Sequence, residues 1–202
     1  TGAQPIKSKK NTFTLTIEAG RTVETTGGSI AILAYGNNQT ITNNGGTIRV
    51  SNSSKNNAIK AQGDTFILDN NINGTIQAPS YTVNVSGDSA TITNSGTIFG
   101  TTLRAIYLNS TGHTITNESD GTIKAGEDDE TNGWNASDKL AVELDTNAED
   151  LILNNYGTIN SGINTVKTES TGMILTNYSG GTISAQTGGS AYKAIFVDGN
   201  DN

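Results

Sequence analysis

The stretch Thr91-Ile92-Thr93-Asn94-Ser95-Gly96-Thr97-Ile98 contains the pattern that decides the fold. Two short runs of alternating β-branched residues are separated by a turn-forming Asn-Ser-Gly. The tripeptide Gly-Thr-Ile occurs six times in the chain, and successive copies are 28, 22, 25, 36 and 24 residues apart. The copies begin at Gly46, Gly74, Gly96, Gly121, Gly157 and Gly181. Gly28-Ser29-Ile30 is interpreted as a degenerate earlier copy.

Two further elements repeat in the same frame. An asparagine stands two to four residues before each glycine, at Asn43, Asn70, Asn94, Asn117, Asn154 and Asn177, and an aliphatic residue precedes each asparagine by two positions, at Ile41, Leu68, Ile92, Ile115, Ile152 and Leu175. A third apolar segment is centred on Ile32, Ile59, Val83, Ile106, Val142, Val166 and Ile195. Each unit therefore contains three short strand-like segments joined by turns.

Three short strands in each unit of roughly 22 to 28 residues predict one triangular coil, which is stable only when the next coil pairs with it. We therefore predict an all-β fold, a right-handed parallel β-helix (β-solenoid) of about seven triangular coils. A β-sandwich is the alternative, but it does not predict the same turn sequence six times in one frame.

Period-two alternation assigns the two faces of each strand. The isoleucines of the Gly-Thr-Ile segments are predicted to form one inward ladder, and the threonines between glycine and isoleucine are predicted to face outward. The repeated asparagines are predicted to stack at a turn, since their amides can form a ladder along the axis. The repeated glycines are predicted to supply backbone freedom at the same corner.

The composition limits the class of protein. Only 33% of the residues are hydrophobic and 5% are aromatic, which favours a long, thin core over an ordinary globular one. The net charge of −7 and the pI of about 4.6 argue against nucleic acid or an anionic membrane as partner. The chain contains no cysteine, which excludes a disulfide framework and cysteine-ligated metals.

The units Thr91–Ile98 and Leu151–Ile159 resemble the repeats of bacterial autotransporter (type V secretion) passenger domains. The resemblance extends from about Thr12 to Asp198. It implies export across the inner membrane, translocation by a C-terminal outer-membrane barrel, and display on the cell surface or release from it. We expect residues 1–202 to be a single β-helix passenger fragment, since no barrel strands follow Phe196.

A search for catalytic residues among the outward positions finds no acid–base pair. The first strand of each coil presents Leu33, Lys60, Asn84, Tyr107, Glu143, Lys167 and Phe196, and Glu143 with Lys167 is interpreted as a surface ion pair. His113, the only histidine, is interpreted as an exposed turn residue. We therefore expect no enzymatic activity, no catalytic residue, no metal site and no cofactor.

One segment breaks the repeat. The 36-residue spacing implies a loop insertion at about 126–139, which contains Glu127, Asp128, Asp129, Glu130 and the only tryptophan, Trp134. Function on repeat scaffolds often lies in such insertions, so these five residues are the first candidates for a partner-binding site. A solvated loop whose tryptophan lies over a coil is the alternative. The secondary binding face comprises Leu33, Tyr107 and Phe196, predicted to be exposed but too far apart for one patch.

We expect a monomeric, secreted or surface-displayed bacterial binding protein, such as an adhesin or a host-cell receptor ligand, that presents a rigid face without catalysis. Its expected partner is a host-cell surface protein or glycan, with no nucleic acid and no insertion of this segment into a membrane. The alternatives are a β-helix polysaccharide lyase or hydrolase, and a purely structural passenger stalk. Carboxylates gathered over neighbouring coils would favour the enzyme.

Overall fold

The computed structural model describes residues 6–26, 28–51, 56–126, 139–162, 164–169, 171–185 and 193–197. Within these ranges the chain forms 22 strands and no helix. Three strands in succession make one coil, and each strand pairs in parallel with its counterparts in the adjacent coils. The result is a β-solenoid of about seven turns, which confirms the predicted parallel β-helix.

The three sheets run along the length of the solenoid. The first sheet contains β1 (Ile6–Ser8), β4 (Ile32–Ala34), β7 (Ile59–Ala61), β10 (Val83–Val85), β13 (Ile106–Leu108), β16 (Leu140–Leu144), β19 (Asn164–Thr168) and β22 (Lys193–Val197). The second sheet contains β2 (Thr14–Glu18), β5 (Thr40–Asn44), β8 (Ile67–Asn70), β11 (Thr91–Asn94), β14 (Thr114–Asn117), β17 (Ile152–Asn155) and β20 (Ile174–Asn177). The third sheet contains β3 (Thr22–Thr25), β6 (Thr47–Val50), β9 (Thr75–Ala78), β12 (Thr97–Gly100), β15 (Thr122–Ala125), β18 (Thr158–Ser161) and β21 (Thr182–Ala185).

The core consists of stacked aliphatic side chains, as the alternation predicted. Ile98 pairs with Ile76 on one side and Ile123 on the other, and all three side chains are buried. The first sheet contributes a second buried stack that includes Val83 and Ile106. Ile195 in β22 is partly exposed, since no further strand covers it within the described ranges. Burial of these stacks is the main driving force for pairing of the coils.

The earliest copy of the Gly-Thr-Ile segment differs from the prediction. Thr22 and Val23 of β3 pair with Thr47 and Ile48, so Arg21-Thr22-Val23 occupies the first position of this ladder. Gly28-Ser29-Ile30, which was interpreted as that copy, lies in the connection between the third and first sheets. That interpretation is wrong because Arg21 replaces the glycine and hides the motif.

Asparagine side chains form a continuous ladder inside the corner between the second and third sheets. The Nδ2 atom of each asparagine donates to Oδ1 of the next one along the axis, over distances of 2.7 to 2.9 Å. The members are Asn43, Asn70, Asn94, Asn117, Asn155 and Asn177. The predicted ladder is confirmed except in the sixth coil, where Asn155 replaces Asn154 and Leu153, not Ile152, faces the core.

The repeated glycines are required for space and not for backbone freedom. Gly96 is not among the described residues with positive φ. A Cβ atom on Gly96 would lie 2.3 Å from the Gly74 carbonyl oxygen and 2.8 Å from Nδ2 of Asn70. The prediction that these glycines supply a special backbone conformation is therefore wrong, and close approach to the asparagine ladder is the physical reason for them.

Substitution of Asn94 tests the contribution of the ladder. Asn94→Ala removes the acceptor of Asn70 Nδ2 and the donor to Asn117 Oδ1, both of which are buried. We expect the free energy of unfolding to fall by about 2–4 kcal/mol, since buried polar groups lose their partners. Chemical denaturation with a circular-dichroism readout measures this change. Asn84→Ala, on the outward side of the same coil, is the control and should cost under about 1 kcal/mol; equal losses would contradict a structural role of the ladder.

Candidate functional site

The outward side chains of the first sheet form two columns along the solenoid axis. The first column contains Lys7, Leu33, Lys60, Asn84, Tyr107, Glu143, Lys167 and Phe196, which pair in this order across the sheet. The second column contains the residue after each of the first seven strands of this sheet, namely Lys9, Tyr35, Gln62, Ser86, Asn109, Asp145 and Glu169. Backbone hydrogen bonds such as Asp145 N to Leu108 O, at 2.9 Å, continue the pairing into this column.

The predicted secondary binding face does not consist of three exposed apolar residues. Leu33 is only 6% exposed and is flanked in its column by Lys7 and Lys60, so the prediction that it is exposed is wrong. Long lysine side chains next to it can cover apolar surface with their stems. The Phe196 ring lies under Nζ of Lys193, 4.1 Å from the ring centroid. Tyr107 is half-buried and belongs to a larger group of side chains.

Tyr81, Arg104 and Tyr107 form a compact group that we call the tyrosine–arginine cluster. The two tyrosine rings are stacked, with centroids 4.7 Å apart and an interplanar angle of 17°. The Arg104 guanidinium carbon lies 5.0 Å from the Tyr81 centroid and 5.6 Å from the Tyr107 centroid. Arg104 also donates to the Tyr81 hydroxyl at 3.3 Å. Stacking and cation–π attraction thus fix the three side chains on the sheet.

Carboxylates surround this cluster, and each has a bonded partner. Glu143, which is nearly buried, forms an ion pair with Arg104 and lies 3.7 Å from Nζ of Lys167. The predicted Glu143–Lys167 pair is therefore present, but Arg104 shares the carboxylate and the pair is not a simple surface contact. Lys167 also bonds to Glu169. These contacts neutralise the acids locally.

The Tyr107 hydroxyl donates a hydrogen bond to the Asp145 carboxylate. Burial and this bond raise the pKa of the Tyr107 phenol well above its ordinary value. Burial alone would raise the pKa of Asp145, but the bonds from Tyr107 and Thr146 outweigh it and hold the pKa below its ordinary value. Tyr107 therefore stays protonated and Asp145 stays ionised at neutral pH, which suits a fixed hydrogen bond.

The cluster lies at the corner where the chain passes from the third sheet to the first. Arg104 belongs to the connection from β12 to β13, and Tyr81 belongs to the same connection one coil earlier. The insertion is in this connection one coil later, between β15 and β16, and the amide of Gly126 donates to Gly100 O at 2.8 Å. Its predicted binding residues Glu127, Asp128, Asp129, Glu130 and Trp134 lie outside the described residues.

Sequence reasoning found Tyr107 and Glu143 but missed Tyr81, Arg104 and Asp145. The search covered outward positions within predicted strands, whereas these three residues flank the strands. On the outward side of the third sheet, Glu24 in β3 pairs with Arg49 in β6, and their side chains form an ion pair at 2.8 Å. Outward positions one or two residues beyond each strand include Tyr81, Arg104 and Asp145. Glu24 lies within β3 and was missed because the first copy of the repeat was assigned to Gly28-Ser29-Ile30.

His113 is buried, which contradicts its interpretation as an exposed turn residue. It precedes β14 at a corner position that Phe66 and Leu151 occupy in other coils. Its Nδ1 accepts the amide hydrogen of Ala90 at 3.2 Å, and its Nε2 lies 3.1 Å from the Ser110 hydroxyl. Burial lowers the pKa of His113, although Ser110 and nearby Asp88 act in the opposite direction. The imidazole is therefore neutral and serves the packing of the corner.

The lowered pKa of His113 predicts loss of stability in mild acid. In the unfolded chain His113 binds a proton near its ordinary pKa of about 6.5, whereas in the folded protein it stays neutral at that pH. Proton binding therefore stabilises the unfolded state as the pH falls through the unfolded pKa. We expect the free energy of unfolding to decrease between about pH 7.5 and about pH 5.5. Denaturation curves across this window measure it. His113→Leu, which copies Leu151, should flatten this dependence; an unchanged slope would contradict the assignment.

No group of three or more histidine, cysteine, aspartate or glutamate residues that could hold a metal ion occurs among the described residues. The same ranges contain no helix long and apolar enough to cross a membrane. The chain gives no significant match to any protein-family model, curated protein or solved structure, so its function is inferred from its residues and their geometry.

Proposed function

We propose that this protein is a bacterial binding protein, secreted or displayed on the cell surface, that engages a host-cell surface protein or glycan without catalysis. The observation that carries the proposal is the tyrosine–arginine cluster. Tyrosine and arginine, like tryptophan, are enriched among the residues that contribute most to binding at protein interfaces. Here they are held in place before any partner arrives, by the stack of Tyr81 on Tyr107 and the ion pair of Arg104 with Glu143.

The position of the cluster supports a binding role. Its strands are paired on both sides, so the backbone under the aromatic rings has little freedom to lose on association. The insertion emerges from the same corner and could extend this surface. Its acidic run and Trp134 would then contact the same partner as the cluster.

The proposed export rests on the resemblance to autotransporter passengers and on one compositional property. A chain that crosses the outer membrane through a barrel must thread in an unfolded form, and disulfides would hinder this. The chain has no cysteine. A repeat in which each coil pairs with the preceding one also suits stepwise folding as the chain emerges.

Binding to host cells tests the proposal. We expect the purified chain to bind cultured epithelial cells saturably, and Tyr107→Ala to weaken this binding by roughly tenfold, since aromatic anchors typically contribute more than rim charges. Replacing 127–138 with a short turn should weaken it further if the insertion contacts the same partner. Flow cytometry with labelled protein measures the binding of the parent chain, of Tyr107→Ala and of the loop replacement. Thermal denaturation establishes that each variant folds.

Tyr156→Ala is the matched control for Tyr107→Ala. Tyr156 also stacks on a tyrosine, Tyr178, with centroids 4.1 Å apart, but it lies at the corner between the second and third sheets. We expect this variant to bind as well as the parent chain. Absence of saturable binding by the folded parent, or equal losses for the two variants, would contradict the proposal.

The carboxylates over neighbouring coils give a specific reason to consider a second function, a glycan-active enzyme. Glu143, Asp145 and Glu169 approach Arg104, Tyr107 and Lys167 on the outward face of a parallel sheet. Acid–base catalysis needs a group whose pKa lies near the working pH. The pKa of Tyr107 is raised and the pKa of Asp145 is lowered, so both move away from neutral pH. Glu143 is paired with two cations, Arg104 and Lys167. The arrangement therefore suits a fixed surface better than proton transfer.

We expect the protein not to cleave polysaccharides. Incubation of the chain with polygalacturonate, alginate, hyaluronate and cellulose oligosaccharides should release neither new reducing ends nor the absorbance of an unsaturated lyase product. Cleavage that is abolished by Asp145→Asn or by Tyr107→Phe would establish the enzyme instead. Thermal denaturation of both variants would show whether such a loss reflects chemistry or unfolding.

A further inference from the structure

Positive charge is concentrated on one part of an acidic protein. The chain has 19 acidic and 12 basic residues, yet the two outward columns over β1, β4, β7, β10 and β13 contain no aspartate or glutamate. The same columns contain Lys7, Lys9 and Lys60. We call this surface, together with the tyrosine–arginine cluster at its end, the basic face.

The other two sheets differ from the basic face. The seven strands of the second sheet contain no lysine or arginine, and most of their outward residues are threonine, asparagine or isoleucine. The third sheet has Arg49, which is paired with Glu24, and Lys124, which lies over the Phe99 ring at 4.2 Å. The clustering of lysines is therefore specific to one face of the solenoid.

The lysines of the basic face are available to a ligand. Within the described residues, neither Lys7 nor Lys60 forms an ion pair, and Lys9 has only a cation–π contact, 6.0 Å from the Tyr35 centroid. Lys7 and Lys9 are exposed, and Lys60 is half-exposed. The nearest acids on this sheet, Glu143 and Asp145, are bonded to Arg104 and Tyr107.

Cations recur in alternate coils along the basic face. Lys7 lies in the first coil, Lys60 in the third and Arg104 beside the strand of the fifth. Strands in a sheet are about 4.8 Å apart, so these cations are separated by about 10 Å along the axis, and Arg104 is also displaced across the sheet from the column of Lys7 and Lys60. Tyr35 lies between the first two cations, and Tyr81 lies between the last two. Lys7 and Lys60 share the central outward column, Tyr35 lies on one side of it, and Tyr81 and Arg104 lie on the other side. The basic face therefore presents cations and aromatic rings in neighbouring columns along the axis.

We propose that the basic face binds an anionic polysaccharide that lies along the solenoid axis, an inference that rests on the proposed binding function. Lysines would pair with its carboxylate or sulfate groups, and the tyrosines would pack against the apolar faces of its sugar rings. At physiological ionic strength the screening length is about 8 Å, so these local charges act on a ligand despite the net charge of −7. Duplex DNA has a much denser charge, and the remaining acidic surface disfavours its approach.

Two pairs of defined polymers test the inference. Dextran sulfate is compared with dextran, and polygalacturonate is compared with its methyl ester, so that only the negative charge changes within each pair. We expect the purified chain to bind at least one charged polymer in biolayer interferometry and neither neutral one. Affinity should fall by roughly tenfold or more between about 50 and about 200 mM salt, since several ion pairs form. The two charged polymers distinguish sulfate from carboxylate recognition, and a DNA duplex is the third probe.

A pair of double variants with the same net charge locates the site. Lys7→Gln/Lys60→Gln removes two cations from the basic face and should weaken binding by roughly tenfold. Arg49→Gln/Lys124→Gln removes two cations from the third sheet and should leave binding unchanged. Equal effects of the two variants, no binding to either charged polymer, or equally tight binding to the DNA duplex would overturn the inference.

The outcome is separable from that of the cell-binding experiment. Binding to cells without binding to either charged polymer would leave the proposed function and remove the polysaccharide. Binding to a charged polymer without binding to cells would establish the basic face as a polysaccharide site and remove the host-cell function.

Discussion

Parallel pairing in a fixed register is the constraint on which the rest of this structure depends. Each described strand pairs with its counterparts in the adjacent coils, so the side chains of paired residues lie over one another. The asparagine ladder shows what this requires. Its amides meet over 2.7 to 2.9 Å inside a buried corner, and a shift of one residue in a single coil would turn an amide outward and leave its neighbours unpaired. The ladder thus selects one register where alternating β-branched residues alone would allow slippage.

The same constraint explains how much of the fold the sequence predicts. Where polar and aliphatic residues alternate strictly, as in Thr91–Asn94, the faces and the ladder positions follow directly. The segment Leu151-Ile152-Leu153-Asn154-Asn155 has no alternation of polar and aliphatic residues. The sequence therefore predicts Asn154 as the ladder member, whereas the structure has Asn155 there. Side-chain burial at the corners is harder to predict, because a single turn residue belongs to no periodic pattern. His113 is buried there only because the coils above and below place apolar side chains around it.

The candidate site was only half predictable for a related reason. Tyr107 and Glu143 lie within strands, so their shared column follows from the repeat. Arg104 lies just before its strand and Asp145 just after its own, where the strand pattern has ended. Arg104 and Glu143 are 39 residues apart, since the insertion intervenes between their coils. Their contact depends on how the corner closes after the insertion, and the sequence contains no periodic signal for that.

A register that fixes the core also determines what kind of surface the solenoid can offer. Inward positions accept only side chains that fill the stack, whereas outward positions repeat at the strand spacing with few limits on their chemistry. Charges and rings placed there form straight columns, as Lys7, Lys60 and Tyr107 do. Each contact in such a column is weak because it is exposed to solvent and salt. A surface of this kind gains affinity by repeating contacts along one extended ligand, so it favours a polymer over any of its single units.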